Sequence, residues 1–320
     1  MEIARNKNNL ENKVEDLSII VPTYNHGDTI QETLESILNQ KTSYTFKIHC
    51  LNDCSTDETG DIIQSYAEKH PDLIKVYTSP YNLGTGKKSH YYHKADAKGR
   101  YWCILEGDDY WTDPFKLEKQ LSFLDAHLDY VGCSCHTSVR VEGKEVQVIA
   151  PHFNSFNLLD LLIFRKKYAN YLHTSGLVWR NIFYQKTGFY LPPAYKKKWV
   201  RADPLLIQLM LQQGGKLKNI PEVMSCYRIT GKGVWTRKTR EEKEAAFPVE
   251  EKKTRKLMPL KYKIFCKILL STKMENLRKY IPSPVNIEAL EDIRACIAYE
   301  KLTKKEQKII KLSCLSLALK

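Results

Sequence analysis

The chain has 320 residues, 42% of them hydrophobic and 27% charged, which suits one large or two moderate globular domains and excludes an intrinsically disordered chain. The formal net charge is +13, but residues 236–320 hold 21 Lys and Arg against 11 Asp and Glu, so the first 235 residues carry only +3. No run approaches the roughly 18 apolar residues of a membrane span, residues 1–16 lack the apolar core of a signal peptide, and nine cysteines without a Cys-x-x-Cys pair read as scattered thiols of a reducing cytoplasm.

In chain order, residues 17–21 form an apolar strand ended by Pro22, and residues 23–27 are a loop by composition. Asp28 is placed as the N-cap of a helix over 29–39, with Ile30, Leu34, Ile37 and Leu38 at helical spacing. A second strand over 44–51 runs into the polar cluster 52–57, which caps a helix over 58–69 stopped by Pro71. Residues 73–77 are a third strand, 82–86 a glycine-bearing loop leading to a helix up to about Ala97, and 101–105 a fourth strand. Asp113 and Pro114 read as N-cap and first residue of a helix to about His127. A strand pair follows over 130–141 and 145–149, turning at Glu142-Gly143. Residues 156–164 are expected to be helical and 177–179 a short strand. Asp203-Pro204 opens another helix, ended by Gly214-Gly215, and 217–220 and 223–228 are short strands. From about residue 236 the composition turns to charged, helix-prone segments. The regular alternation of strand and helix argues for a parallel, helix-covered sheet. In such sheets ligands bind beyond the carboxyl ends of the strands, and the polar clusters at 23–25, 52–57 and 106–109 all fall on that rim.

The fourth strand ends abruptly in Glu106, Gly107, Asp108 and Asp109. Three carboxylates at the tip of a buried strand are a poor way to build stability, because like charges repel and burying them is costly without a cation. The pattern points to a divalent cation, Mn²⁺ or Mg²⁺, which prefer hard oxygen ligands, together with a phosphate-bearing ligand. An exposed acidic turn that merely precedes a helix is the plainer alternative. The nearby Gly84-Thr-Gly-Lys-Lys-Ser89 is not a P-loop: Tyr81 stands in the place of the first glycine and Lys88 in that of the Ser or Thr. A dinucleotide G-x-G-x-x-G pattern fails as well, since Ser89 takes the third glycine's place.

Four segments, Ile19-Ile-Val-Pro-Thr-Tyr-Asn25, Asn52-Asp-Cys-Ser-Thr-Asp57, Asn82-Leu-Gly84 and Leu105-Glu-Gly-Asp-Asp-Tyr-Trp-Thr-Asp-Pro114, follow one another in the order found in family 2 glycosyltransferases. A fifth, Tyr227-Arg-Ile-Thr-Gly-Lys-Gly-Val-Trp-Thr236, is similar to that family's closing loop. From residue 17 to about 236 the chain resembles this family, of the kind that builds bacterial surface polysaccharides. The resemblance implies an α/β fold of the GT-A type, a mostly parallel, Rossmann-like sheet flanked by helices with a basic helical C-terminal extension. It divides the chain into an N-terminal extension (1–16), a nucleotide-sugar-binding half (17–112), an acceptor-binding half (113–236) and the extension (237–320).

By the same resemblance the nucleotide-sugar would be held by Pro22, Thr23, Tyr24, Asn25, Asp53, Asn82, Gly84, Lys87, Lys88, Glu106, Gly107, Asp108 and Arg228. Tyr24 would cover the base, Asp53 would accept from a base N–H or ribose hydroxyl, and Asp108 would coordinate the Mn²⁺ or Mg²⁺ bridging the diphosphate. An inverting transferase needs a carboxylate to take the acceptor hydroxyl's proton, and the resemblance assigns it to Asp203. Trp111, His173 and Trp235 would face the acceptor. The sequence departs from the family pattern at Asn52, Glu106, Ala202 and Thr230, where many relatives have Asp, Asp, Glu and His.

The implied reaction moves a sugar, from a UDP-sugar, to a hydroxyl of a glycan or lipid-linked oligosaccharide, making the protein a hexosyl- or N-acetylhexosaminyltransferase. Two other classes stay open on sequence: an inactive nucleotide- or glycan-binding module, and a nucleotidyltransferase, which would release pyrophosphate. In the extension, residues 261–280 and 287–319 mix apolar residues with Lys and Arg. An interfacial helix on an anionic leaflet and a bundle packed back on the domain fit that pattern equally. No nucleic-acid motif accompanies the charge, so nucleic acid is not an expected partner. The expected location is the cytoplasm, at the inner face of the membrane; nothing in the sequence speaks to oligomeric state.

Overall fold

The computed structural model describes residues 14–84, 97–151, 153–158, 161, 172–183, 203–231, 239, 241–242 and 245. The chain divides into two compact units: Met1–Asn154, Leu172–Lys198 and Lys218–Thr230 form the first, and Ser155–Tyr171, Trp199–Leu217 and Gly231–Lys320 the second. In chain order the described elements are β1 (Leu17–Thr23), α1 (Gly27–Leu38), β2 (Phe46–Asn52), α2 (Thr59–Lys69), β3 (Ile74–Thr78), β4 (Tyr101–Ile104), β5 (Tyr110–Trp111), α3 (Lys116–Ala126), β6 (Tyr130–Val141), β7 (Lys144–Ile149), β8 (Ser155–Asn157), a 3₁₀ turn (Thr174–Gly176), β9 (Val178–Arg180), α4 (Asp203–Leu211) and β10 (Lys216–Ile229).

The first unit is built on a sheet in the order β3-β2-β1-β4-β9-β6-β10-β5, with β7 paired to β6. β1 runs parallel to both β2 and β4, and β2 is parallel to β3. Beyond β4 the pairings given by β9, β6, β7 and β5 are antiparallel. The parallel part grows from β1 through β2 to β3 on one side, then restarts with β4 on the other. Such a reversal opens a crevice beyond the carboxyl ends of the strands. β1 and β4, which flank it, deliver residues 23–25 and 106–109.

The sequence explains this half directly. All seven residues of β1 are buried, as expected of a parallel strand covered on both faces. α1 lays Ile30, Leu34 and Ile37 on it, and α3 adds Leu117, Leu121 and Leu124 to the same core. Each side chain of this kind contributes about 1.5–3 kcal/mol by leaving water. The hairpin β6–β7 turns at Glu142 and Gly143, whose φ values of 49° and 77° are those of a two-residue loop matching the strand twist. Cys50, Cys103, Cys133, Cys135 and Cys226 are buried free thiols and Cys54 is partly exposed.

Several elements differ from the sequence expectation. β1 continues through Pro22, which was expected to end it. Pro22 still offers its carbonyl to Gly107 N at 3.0 Å, so the strand's pairing toward the acidic loop runs past the proline. Asp28 is in the first turn of α1 and does not cap it; His26 holds the cap position, and Gly27 N donates to Asp57 Oδ2 at 3.0 Å. α3 starts at Lys116 rather than at Pro114, because Asp113 Oδ1 accepts from Phe115 N at 2.8 Å and closes a separate turn. The two short strands expected over 217–228 are one strand, β10; Pro221 falls in its exposed stretch, where a strand tolerates proline. Phe156 lies in β8, not in a helix. The helices expected over about 87–97, 261–280 and 287–319 lie outside the described residues, as do Lys87, Lys88 and Trp235.

In the second unit, α4 is apolar on all sides, and Leu205, Leu206, Ile207, Leu209, Met210 and Leu211 are buried, as such a helix requires. Gly214 and Gly215 follow it at φ 96° and 91°, the conformation in which a helix end favours glycine. Among the described residues no helix is long and apolar enough to cross a membrane.

At the amino ends of the strands, opposite the rim, Asp125 gathers Arg100, Tyr44 and Tyr101. Arg100 donates to both carboxylate oxygens, at 2.7 and 3.1 Å, and Tyr44 Oη donates at 2.9 Å. Burial disfavours the ionised carboxylate, but the hydrogen bonds from Arg100, Tyr101 and Tyr44 outweigh it and hold Asp125 down at about 2. A depressed pKa contributes stability that is complete above the unfolded value of roughly 4 and is lost as the pH falls toward the folded one. Asp125→Asn is therefore expected to cost about 1–2 kcal/mol at pH 7. Urea unfolding should show that difference shrinking as the pH is lowered through 4 toward 2.

Candidate active site

The acidic loop leaves β4 along β1. Leu105 N donates to Ile20 O at 2.9 Å and Gly107 N to Pro22 O at 3.0 Å, so the loop extends the pairing past the end of the strand. A Cβ at Gly107 would stand 2.7 Å from His26 Nδ1 and 2.9 Å from Thr23 Oγ1; glycine is what lets the backbone pass this close. α1 holds the loop from the other side. Thr29 Oγ1 donates to Gly107 O at 2.9 Å, and Thr33 Oγ1 reaches Gly107 O at 3.0 Å and Asp109 O at 2.6 Å. Glu106, Asp108 and Asp109 then bring carboxylate oxygens within 4.8 Å of one another.

The three carboxylates differ in surroundings. Glu106 is exposed, Asp108 half-buried and Asp109 fully buried. His26 Nε2 lies 3.9 Å from Asp108 Oδ2. Asp109 Oδ1 accepts from Arg228 N at 3.1 Å, and Oδ2 accepts from Ser175 Oγ. Burial, followed by the charges of Asp108 and Glu106, raises the Asp109 carboxyl well above its ordinary range, against the pull of Ser175 and Arg228. His173 Nδ1 lies 2.8 Å from Ser175 Oγ and 3.6 Å from Asp109 Oδ2, and its ring stacks on Tyr227 at 4.4 Å. Burial pushes His173 down to about 4, so this imidazole is neutral at neutral pH.

The other rim loops converge beside this one. Asp53 N donates to Thr23 O at 2.9 Å. The Asp53 carboxylate accepts from Leu83 N at 2.8 Å and Gly84 N at 3.2 Å, while Asn82 Nδ2 donates to Asp53 O at 3.2 Å. Gly84 has φ 64°, the left-handed region that suits glycine. Thr23, Asp53, Asn82 and Gly84, expected around the nucleotide, are thus neighbours; each Asp53 oxygen keeps a second lone pair. Asn25 and Cys54 both have positive φ, 54° and 61°, at matching places after β1 and β2. Asn25 Oδ1 accepts from Thr56 N at 2.8 Å and ties the two loops together. Asp57 links the helices behind them, accepting from Gly27 N and from Thr59 N at 3.1 Å. Burial opposes its ionisation, but these bonds and Thr59's hydroxyl hold its carboxyl below the ordinary range.

Some expected site residues have other partners. Trp111, expected to face the acceptor, is 4% exposed. Its Nε1 donates to Ser175 O at 2.9 Å, and the buried ammonium of Lys116 lies 4.4 Å from its ring centre while bonding Gln120 Oε1 at 2.6 Å. It lies where β5 pairs with β10. Arg228, expected to meet the diphosphate, has its guanidinium engaged by the acidic loop and α1: Nε donates to Asp108 O at 2.6 Å, Nη1 pairs with Glu32, and Nη2 reaches Thr29 O at 3.3 Å. Asp203 is the first residue of α4, in the second unit, and its side chain lies outside the described residues.

A divalent cation fits the rim chemically. Asp108 and Glu106 offer hard oxygen donors, and Thr23 Oγ1, buried beside them, has no hydrogen-bond partner among the described residues. His26, Thr29, Thr33 and Ser175 were not expected at the site, and Asp57 and Asp109 were expected only as a helix cap and as a member of the acidic cluster. Thr33 carried a signal, a hydroxyl in the apolar stripe of α1. The others depend on contacts between distant segments.

Comparison with known proteins gives the family and the fold. The family model described as glycosyl transferase family 2 matches residues 18–187. An uncharacterized protein of Mycobacterium bovis is 30% identical over 68% of this chain, which spans 60% of that relative's length. An Escherichia coli protein named as a UDP-Glc:α-D-GlcNAc-diphosphoundecaprenol β-1,3-glucosyltransferase is 38% identical over 34% of this chain and 41% of its own. Among solved structures, Staphylococcus aureus TarS 1–349 in complex with UDP-GlcNAc superposes with TM-score 0.55 at 18% identity, covering 91% of this chain and 77% of TarS 1–349. The mannosyltransferase PcManGT of Pyrobaculum calidifontis, in complex with GDP-Man and Mn²⁺, gives 0.54 at 18% identity, covering 96% and 81%. The fold is the mixed α/β GT-A fold of these enzymes. With residues 18–187, more than half of its length, matched by the family model, the chain belongs to glycosyl transferase family 2.

Proposed function

We propose that this protein is a glycosyltransferase that moves a sugar from a UDP-sugar to a hydroxyl of a glycan or lipid-linked oligosaccharide in polysaccharide biosynthesis. The observation that carries the reading is the convergence, beyond β1, β2 and β4, of the Thr23, Asp53 and Asn82–Gly84 loops with the Glu106–Asp108 pair. The UDP assignment draws support from the activity for which the E. coli relative is named and from the UDP-GlcNAc complex of TarS; the lipid-linked acceptor draws on the former. Mn²⁺ in the PcManGT complex supports a divalent cation.

In this mechanism Tyr24, Asn25 and Asp53 take the nucleoside, and Pro22, Gly107 and Gly84 let backbone approach it. Asp108, aided by Glu106, would hold Mn²⁺ or Mg²⁺, which neutralises charge building on the departing nucleoside diphosphate. Asp203 accepts the proton of the acceptor hydroxyl as that oxygen attacks the anomeric carbon, and one displacement inverts the configuration. His173 and Trp235 belong to the acceptor side, and Lys87 and Lys88 to the phosphate side. The surplus positive charge of residues 236–320 suits a peripheral contact with an anionic leaflet, at the cytoplasmic face.

Product analysis tests the reading. The purified protein is incubated with UDP-sugars, Mn²⁺ and lipid-linked acceptors, and the released species are identified. Free UDP with a glycosylated product of inverted configuration supports it. Pyrophosphate as the released product would make the protein a nucleotidyltransferase, and nucleotide binding without any release would make it an inactive binding module.

A further inference from the structure

Asp108 and Asp109 are adjacent in sequence and both belong to the acidic cluster, yet the fold treats them differently. Both oxygens of Asp109 accept from protein donors: Oδ1 from Arg228 N at 3.1 Å, and Oδ2 from Ser175 Oγ, with His173 Nδ1 3.6 Å away. Asp109 and Ser175 are both fully buried. The turn that supplies Ser175 is itself fixed. Its Ser175 carbonyl accepts from Trp111 Nε1 at 2.9 Å, and the Gly176 carbonyl accepts from Gln120 Nε2 at 2.9 Å. Ser175 therefore grips the acidic segment on both sides, at Asp109 through its hydroxyl and at Trp111 through its carbonyl. Arg228 completes the hold, with Nε on Asp108 O at 2.6 Å and its backbone N–H on Asp109.

We propose that Asp109 is the anchor of the acidic loop and not a third metal ligand, and that Ser175 and Arg228 are positioning residues that fix where Asp108 presents its carboxylate. This rests on the reading of Asp108 as a cation ligand. Removing a donor that orients a ligating group weakens metal binding by about 10–100-fold, and the anchor should show that signature without touching the metal itself. An Asn at 109 can keep the arrangement, its oxygen accepting from Arg228 N and its amide donating to Ser175 Oγ.

The test compares Asp109→Ala, Asp109→Asn, Ser175→Ala and Asp108→Asn in the full chain, by thermal unfolding without metal or nucleotide and by calorimetric UDP binding across a Mn²⁺ titration. The expected result is that Asp109→Ala lowers the melting temperature by about 5 °C, while Asp108→Asn leaves it unchanged or raises it. Ser175→Ala should raise the Mn²⁺ midpoint about tenfold with Mn²⁺-free UDP binding unchanged. Asp109→Asn should keep the wild-type midpoint, and Asp108→Asn should abolish the Mn²⁺ response. Asp109→Ala melting as the wild type does, or Asp109→Asn losing the Mn²⁺ response as Asp108→Asn does, would overturn the proposal. If the wild type itself binds UDP indifferently to Mn²⁺, the metal reading fails and the positioning role with it. If the wild type responds and Ser175→Ala does too with an unshifted midpoint, only the positioning role fails.

Discussion

Replacing Asp108 with Asn is expected to lower kcat/KM for the UDP-sugar by about 10³-fold while leaving the protein folded. A divalent cation supplies several kcal/mol of stabilisation to charge developing on a leaving diphosphate, and each factor of ten in rate corresponds to about 1.4 kcal/mol. Folding should not suffer. The Asp108 carboxylate is half-buried and sits in a like-charged cluster with Glu106 and Asp109, so neutralising it removes repulsion. The Asn side chain has nearly the same shape, and the backbone contact to Arg228 uses the carbonyl of residue 108. Glu106→Gln should cost less, because Glu106 is exposed and its charge acts through solvent and salt that screen it. Steady-state rates across a Mn²⁺ series, with melting curves beside them, check both statements. An Asp108→Asn enzyme retaining wild-type kcat/KM would remove the cation from the mechanism.

The second large effect is expected at Asp203. Loss of a general base costs about 10²–10⁴-fold in rate, so Asp203→Asn should lower kcat by that factor while UDP affinity and its Mn²⁺ dependence stay at wild-type values. The assignment comes from the family resemblance and from the position of Asp203 as the first residue of α4. The contrast with Asp108 is the informative part. One variant loses the metal response and the other keeps it, although both lose turnover. Equal loss of UDP binding in Asp203→Asn would point to a structural role at the start of α4.

The legible parts of this molecule were those whose physics is local in sequence. Parallel strands buried on both faces read as continuous apolar runs, so residues 17–21 and 101–105 stood out, and the polar clusters that follow them marked the rim. Their convergence followed from one rule about strand ends, and the contacts of Asp53 with Leu83 and Gly84 agree with it. The less legible parts depend on segments far apart. Asp57 looked like the cap of the helix that follows it, yet it also takes Gly27 N at the start of α1, which no spacing announces. Arg228 was expected to lend its charge to the nucleotide-sugar; its partners Glu32, Thr29 and the carbonyl of Asp108 come from two other segments. Trp111 was expected to face the acceptor. It is buried because β5 pairs with β10 and places it under Lys116. Asp108 and Asp109 are the same letter twice, and what separates them is supplied by Ser175 and Arg228.

The central claim is that the rim formed by Thr23, Asp53, Gly84 and Asp108 holds a UDP-sugar together with a divalent cation. The most direct measurement is a thermal-shift screen of nucleotide-sugars with and without Mn²⁺, on the wild type and on Asp108→Ala. The account predicts that at least one UDP-sugar raises the melting temperature of the wild type, that Mn²⁺ increases the shift, and that Asp108→Ala loses the Mn²⁺-dependent part. Stabilisation by no UDP-sugar, or a shift indifferent to Mn²⁺ and unchanged in Asp108→Ala, would contradict it.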